Sequence, residues 1–388
     1  MLNRAITLCN FFSLPMRRRN LCIRAAVLLG VTVSTFAFVP GQCSGQDRRS
    51  PLVEKRVERV LREQAHKNGA AGIAFGMVQN DSTVLECYTG YASWNDKRRV
   101  DASSVFAWAS LSKGLTAVCA LKMAEQGRLN LDADIKNYIP ELDLQAPVTL
   151  RQLLAQQAGI GGYNAHPELL DLKKLDPKLL TQQAIVEKLA GKKTVFEPGS
   201  RQGYSSPGYI LLSIAMERAA KKSFAEIVDE IVAKPLKLSS LRVGKSSEAD
   251  VVPYRLINGK RESIGDSNED WRLGAGAVKS NLPDALRFAS SLVESSILSP
   301  ESSKELFKRR ANVKREDHKG IVIGVTYGFM RIGEGADAPI MASGMQPGAR
   351  SLLIIYPRQQ MASVIFANTT PLDLERIHFA ATQALTKK

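Results

Sequence analysis

Ser110-Leu111-Ser112-Lys113 sets a hydroxyl and an amine three residues apart, just before the apolar-periodic run Leu115 to Met123. Residues three apart on a helix share a face, so these two side chains can meet across one turn. A serine is a weak nucleophile until a base takes its proton, and a lysine in an apolar setting has its pKa lowered enough to serve. A serine at a helix start also has backbone N–H groups around it that suit a developing oxyanion. The chemistry in view is acyl transfer through a covalent serine intermediate. The same residues alone also describe a helix N-cap followed by a solvated lysine, so the choice rests on what lies downstream.

Downstream come Phe196-Glu197-Pro198-Gly199-Ser200, then Tyr204-Ser205-Ser206-Pro207-Gly208-Tyr209 and the helical run Ile210 to Glu217. Near the C-terminus, Ala342-Ser343-Gly344 precedes the strand-like Ser351 to Tyr356. An S-x-x-K, a Y-x-S/N and a late small-residue strand containing glycine follow one another in the order used by penicillin-recognising enzymes. The chain resembles the serine β-lactamase-related family, in its class C β-lactamase, D,D-peptidase and esterase branch. Ala71 to Val78 is similar to that family's first core strand, and Tyr91 to Val100 to its turn before the nucleophile segment. Thr149 to Leu154, and Gly274 to Ser280 with Pro283 to Phe288, resemble further family segments, so the resemblance covers roughly residues 53 to 385.

The resemblance implies roles. Ser110 is the expected nucleophile, and Lys113 is expected to hydrogen-bond to it and help remove its proton. Tyr204 is the expected second general base: a phenol beside an ammonium has its pKa lowered and can pass a proton to the leaving group. The oxyanion hole is expected from the backbone N–H groups of Ser110 and Met345. Substrate contacts are expected from Ser206, Ala342, Ser343 and Gly344.

Several positions depart from the family pattern. The tyrosine motif usually ends in Asn, which grips the substrate's acylamide carbonyl; Ser206 is shorter and offers one donor. The third motif normally opens with Lys or His, and here Ala342 stands there. Gln156-Gln157-Ala158-Gly159 replaces a common His-Thr-Ser-Gly turn. Losing that cation weakens recognition of carboxylate-bearing β-lactams and D-alanyl peptides. Arg350, on the next strand, is a candidate substitute, and it also fits a surface arginine at a strand start.

These residues need a scaffold. Apolar spacing predicts a helix over Val53 to His66, strands near 71–78 and 82–89 joined at Asn80-Asp81, and a nucleophile helix from about Ser110 to Gln126 with Gly127 as its C-cap. Helical patterns dominate to about residue 295. Strands follow near 322–331, 339–343, 350–356 and 361–367, then a helix from about 371 to 386. Strands at both ends with helices between predict an α+β, β-lactamase/transpeptidase-like fold: an antiparallel sheet built from both termini and an inserted, mostly helical lobe. The sheet lobe is expected over about 53–105 and 296–388 and the helical lobe over 106–295, with the site at the seam.

The 388 residues, 44% hydrophobic and 23% charged, are ordinary for a globular chain with a substantial core. The net charge of +15 is spread between acids, five of it in residues 1–45. A nucleic-acid protein would gather its charge with aromatics on one element, so no nucleic-acid partner is expected. Arg17 to Arg24, the apolar Ala25 to Val39 and Cys43-Ser44-Gly45 stand in signal-peptide order, predicting cleavage of residues 1–45 and export to the periplasm, envelope or medium. The alternative is an uncleaved membrane anchor, although fifteen residues are short for a span. Cys87 and Cys119 read as buried free thiols. The four histidines form no ligand-like cluster, and no phosphate-binding glycine loop occurs, so neither metal nor cofactor is expected.

Two functions follow as expectations. One is a secreted serine hydrolase acting through a Ser110 acyl-enzyme on ester or amide substrates, a small molecule or a peptidoglycan-like peptide, β-lactams and D-alanyl peptides included. The other is a catalytically reduced, penicillin-binding-like module that binds but turns over poorly, favoured by Ala342 and Ser206.

Overall fold

The computed structural model describes residues 51–80, 82–174, 181–265, 269–310, 314–316 and 322–386. The signal-like segment 1–45, and Asp81 of the first turn, lie outside them. Pro51–Lys67 is helical and is followed by strands Gly72–Gln79 and Ser82–Ser93. The C-terminal strands Ile340–Gln346, Ala349–Tyr356 and Met361–Ala367 form a meander, closed by helix Leu374–Thr386.

The two ends of the chain meet in one antiparallel sheet. Gly72–Gln79 pairs with Met361–Ala367 in the register Phe75↔Ile365 and Met77↔Ser363. Among the described residues the sheet has nine strands, running from Arg98–Arg99 at one edge to Lys314–Glu316 at the other. The expected strand 322–331 is two short strands, Val322–Val325 and Met330–Ile332, broken by a turn in which Gly328 has φ of 73°. Backbone of that handedness suits glycine and interrupts the ladder.

Alternation along the strands sends side chains to two cores. Ile73, Phe75, Leu352, Ile354 and Ile365 pack under the helices Pro51–Lys67 and Leu374–Thr386. Ala74, Leu353, Ile355, Val364 and Phe366 face the opposite side, where they join the large core of the inserted segment. Helix Leu282–Glu294 packs on this second face, with Leu282 and Leu286 against Gly76. This helix lies within the segment 106–295 expected to be mostly helical.

Candidate active site

The nucleophile segment is not a simple helix start. Ala109–Leu111 forms a 3₁₀ turn, the α-helix runs from Ser112 to Glu125, and Trp108 caps the turn without any side-chain hydrogen bond. Ser110, expected at the helix start, therefore sits two residues ahead of the observed α-helix and is not an N-cap serine. Ala109 has φ of 48°, a left-handed conformation that costs a non-glycine residue on the order of 1–3 kcal/mol. Trp108 holds the turn in place: its indole N–H donates to Ser280 Oγ at 2.9 Å, and its carbonyl accepts from Ser351 Oγ at 2.5 Å. Its ring also packs against Phe288 and Phe366.

Three expected residues converge. Lys113 Nζ donates to Ser110 Oγ at 3.1 Å, and Tyr204 Oη donates to the same oxygen at 2.9 Å. Lys113 is 2% exposed, donates also to the Ala275 carbonyl at 2.7 Å, and lies 5.1 Å from the Tyr204 ring centre. Burial alone would raise the Tyr204 phenol. The Lys113 ammonium, together with the hydrogen-bonding side chains of Lys113, Ser110 and Ser206, outweighs it and brings Tyr204 below its ordinary value. The arrangement can deprotonate a hydroxyl and return a proton to a leaving group at the same point.

The segment that carries the Ala275 carbonyl is held through the residue before it. Thr116 Oγ1, on the nucleophile helix, donates to the Gly274 carbonyl at 2.7 Å, and the Gly274 N–H donates to Ser213 Oγ at 3.1 Å. A Cβ on Gly274 would collide with both hydroxyl oxygens, so only glycine lets the segment lie so close. Leu273 beside it has φ of 43°.

The Tyr204 loop rests on the Gln156–Gly161 turn. Gln156 Oε1 accepts from the Ser205 N–H at 2.6 Å, and its carbonyl accepts from the Gly203 N–H at 2.8 Å. Ser205 Oγ donates to the Gly161 carbonyl at 2.5 Å and caps the helix Ser206–Ala220 by accepting from the Gly208 N–H. The glutamine that departs from the family turn thus braces the tyrosine loop, a role that only the fold reveals.

Strand Ile340–Gln346 runs beside the nucleophile turn. A Cβ on Gly344 would fall on the Trp108 carbonyl oxygen and within 2.9 Å of the Ser110 nitrogen, so this glycine is required by close approach. Ala342 shares the Gly344 face and is buried; Ser343 and Met345 are half-buried on the alternate face. The Met345 side chain therefore lies on the face opposite that of Gly344.

Arg350 is not brought to the site. Ser351, its neighbour, points at Trp108; Arg350 points through the other face and pairs with Glu375 of the terminal helix at 2.7 Å. The expected substitution for the lost third-motif cation is therefore corrected: strand alternation assigns Arg350 to a structural ion pair.

A buried arginine that sequence reasoning did not single out stands on the other side. Arg272 forms an ion pair with Glu269, and its guanidinium carbon lies 5.3 Å from the Tyr163 ring centre and 5.2 Å from that of Trp271. Burial pushes the Tyr163 phenol up to about 12, with Arg272 opposing and Tyr204 adding to the shift. The Ser206 hydroxyl lies between the two phenols and favours the ionised form of each. No group of three or more His, Cys, Asp or Glu side chains suited to a metal occurs among the described residues. Cys87 and Cys119 are buried free thiols, and burial raises both.

A model of the family described as Beta-lactamase matches residues 57–386. Among curated proteins, "Penicillin-binding protein 4*" of Bacillus subtilis (strain 168) is 26% identical over 306 residues, covering 72% of this chain and 64% of that protein. The chain spans from 41% to 64% of the length of such curated relatives. The octameric penicillin-binding protein homologue from Pyrococcus abyssi superposes with a TM-score of 0.73 at 20% identity, over 85% of this chain and 77% of the other. EstCE1, described as a hydrolase with promiscuous acyltransferase activity, superposes with a TM-score of 0.71 at 20% identity, over 86% and 98%. These likenesses establish the β-lactamase/transpeptidase-like fold.

Proposed function

This chain belongs to the β-lactamase family, and we propose that it is an exported serine hydrolase that cleaves esters or amides through an acyl-enzyme on Ser110. One observation carries the reading: Ser110 Oγ accepts hydrogen bonds from both Lys113 Nζ and Tyr204 Oη. In the proposed reaction the Lys113–Tyr204 pair takes the Ser110 proton as Oγ attacks the substrate carbonyl carbon. The negative oxygen that forms is stabilised by the backbone N–H groups of Ser110 and Met345. Tyr204 returns the proton to the departing alcohol or amine, and water then releases the acyl group by the same steps in reverse order. Solved proteins of the same fold described as an amidohydrolase and as a D-amino acid amidase support an ester or amide bond as the target.

A second reading, a binding module with little turnover, is favoured by Ala342 at the head of the third motif and by Ser206 in place of Asn. Labelling with a fluorophosphonate and a fluorescent penicillin separates the two. Ser110-dependent label together with turnover of a short-chain ester supports the hydrolase. Stable label without turnover supports the binding module, and label that survives Ser110→Ala removes both. Export is part of the same reading: the mature chain is expected to begin near Gln46, and N-terminal sequencing of periplasmic or extracellular protein tests it. A chain that keeps Ala25 to Val39 would be anchored instead.

A further inference from the structure

Buried polar groups nearly always find partners, and those left without one call for an explanation. Beside Ser206, the Tyr163 hydroxyl is buried with no hydrogen-bond partner among the described residues. Next to it, Arg272 turns its Nε edge to Glu269, and its terminal amino groups make no hydrogen bond among the described residues. The Arg272 side chain is 16% exposed. The guanidinium is stacked against Tyr163 and Trp271, which fixes its plane. Ser206 links this corner to Tyr204, and Arg272 lies three residues before Ala275, whose carbonyl holds Lys113. The corner therefore offers a ligand a charged, forked donor and the Tyr163 hydroxyl, with the Glu269 carboxylate beside them, within one side chain of the proposed chemistry.

Resting on the acyl-enzyme reading above, we propose that Arg272, with the Tyr163 hydroxyl, determines specificity by receiving a carboxylate carried on the acyl side of the substrate. The preferred substrates are monoesters or monoamides of short dicarboxylic acids, or acyl groups ending in a carboxylate. A forked guanidinium with its Nε edge already paired presents its remaining N–H groups to a carboxylate oxygen. Glu269 pairs with Arg272 at its Nε edge. The short Ser206 leaves the Tyr163 hydroxyl uncovered where a longer Asn would reach across. An anion on the leaving-group side meets no comparable cation, because Ala342 stands at the third motif and Arg350 is paired behind the sheet.

The test compares the monoethyl esters of succinic, glutaric and adipic acid with the ethyl esters of butanoic, pentanoic and hexanoic acid, followed by ethanol release. The readout is the ratio of kcat/KM for each matched pair within one protein, so that a general loss of activity cancels. Wild type is expected to favour the carboxylate member at least tenfold at one chain length. The ratio should fall toward one in Arg272→Gln/Glu269→Gln, a double variant that leaves no buried charge unpaired. It should fall partway in Tyr163→Phe and survive in part in Arg272→Lys. A wild-type ratio of one or less at every length, or an unchanged ratio in the double variant, overturns the proposal. If neither ester class is turned over, the hydrolase reading fails separately. Calorimetric binding of glutaramate against pentanamide to the Ser110→Ala protein then decides the Arg272 reading. A tenfold preference that disappears when the double substitution is added supports it, and equal binding overturns it.

Discussion

Ser110 caps no helix, and its hydroxyl bonds to Lys113 and Tyr204. Ser110→Ala is therefore expected to cost about 1 kcal/mol or less in stability while abolishing ester hydrolysis. A denaturant melt and a rate assay on the same sample check it. Tyr204 belongs to the same unit. Because the Lys113 ammonium and the hydrogen bonds around the phenol together outweigh burial and hold it below the ordinary value, the rise of kcat/KM with pH should show a limb below the pH of a free tyrosine. Tyr204→Phe should remove that limb and lower kcat by roughly a hundredfold or more. At the third motif, Ala342 supplies neither charge nor donor, and a hydrogen bond to a charged group is typically worth about 1.5–3 kcal/mol. Neutral short-chain esters should therefore exceed penicillins in kcat/KM by roughly tenfold to a hundredfold; comparable rates on both would remove Ala342 as a determinant. That Ser110, Lys113 and Tyr204 come together was legible because their spacing is carried by short motifs. Arg272 and Tyr163 were not, because nothing in their own sequence context reports that 109 residues of chain fold to bring them together. Arg350 misled for a related reason: its proximity in sequence to the third motif says nothing about which face of the strand it takes.

Among the elements, the long strands of the main sheet and the terminal helices were readable from periodicity, whereas the short strands Arg242–Val243, Tyr254–Ile257, Lys260–Ser263 and Val278–Ser280, inside the segment expected to be helical, and the irregular pieces were not. Gln156 with φ of 60°, Ala109 with φ of 48° and Leu273 with φ of 43° are held in strained backbone by their surroundings. No local preference predicts such conformations for these residues, since each must be over-determined by tertiary contacts. The 3₁₀ turn before Ser112 escaped notice for the same reason: it is set by Trp108 hydrogen bonds to Val278, Ser280 and Ser351, which are distant in sequence. The close approach of Ile340–Gln346 to this turn gives a prediction at this scale. Gly344→Ala places a methyl group against the Trp108 carbonyl and the Ser110 nitrogen, so the strand must retreat. Overpacking of this kind costs about 1–3 kcal/mol. The proposed oxyanion geometry would be displaced with it, and kcat should fall at least tenfold with KM changing less. A variant with wild-type kcat would show that strand and turn are not coupled in the reaction.

At the scale of the molecule, the sheet that joins both ends of the chain was legible from the order of strand-like and helix-like segments, and its two-faced packing from alternation. Which core would carry a pH liability was not, because that depends on one histidine's burial. His378, on the terminal helix, is fully buried beneath the sheet against Phe75 and shares a 2.7 Å hydrogen bond with Ser363 Oγ. Burial holds its imidazole down at about 4, against 6.5 for an ordinary histidine. The unfolded chain therefore takes up this proton first as pH falls, and stability contributed by the neutral ring is complete above about pH 6.5. It is lost progressively toward pH 4, where the folded protein also becomes protonated. A difference of that size corresponds to about 3 kcal/mol at most. His378→Gln keeps a partner for Ser363 without a group that titrates in this window. Urea unfolding at pH 7 and at pH 4 should then show a smaller loss of stability for the variant than for wild type, while carboxylate contributions cancel between the two. Equal losses in both proteins would mean that His378 is hydrated or already paired in the folded state, and that acid sensitivity arises elsewhere.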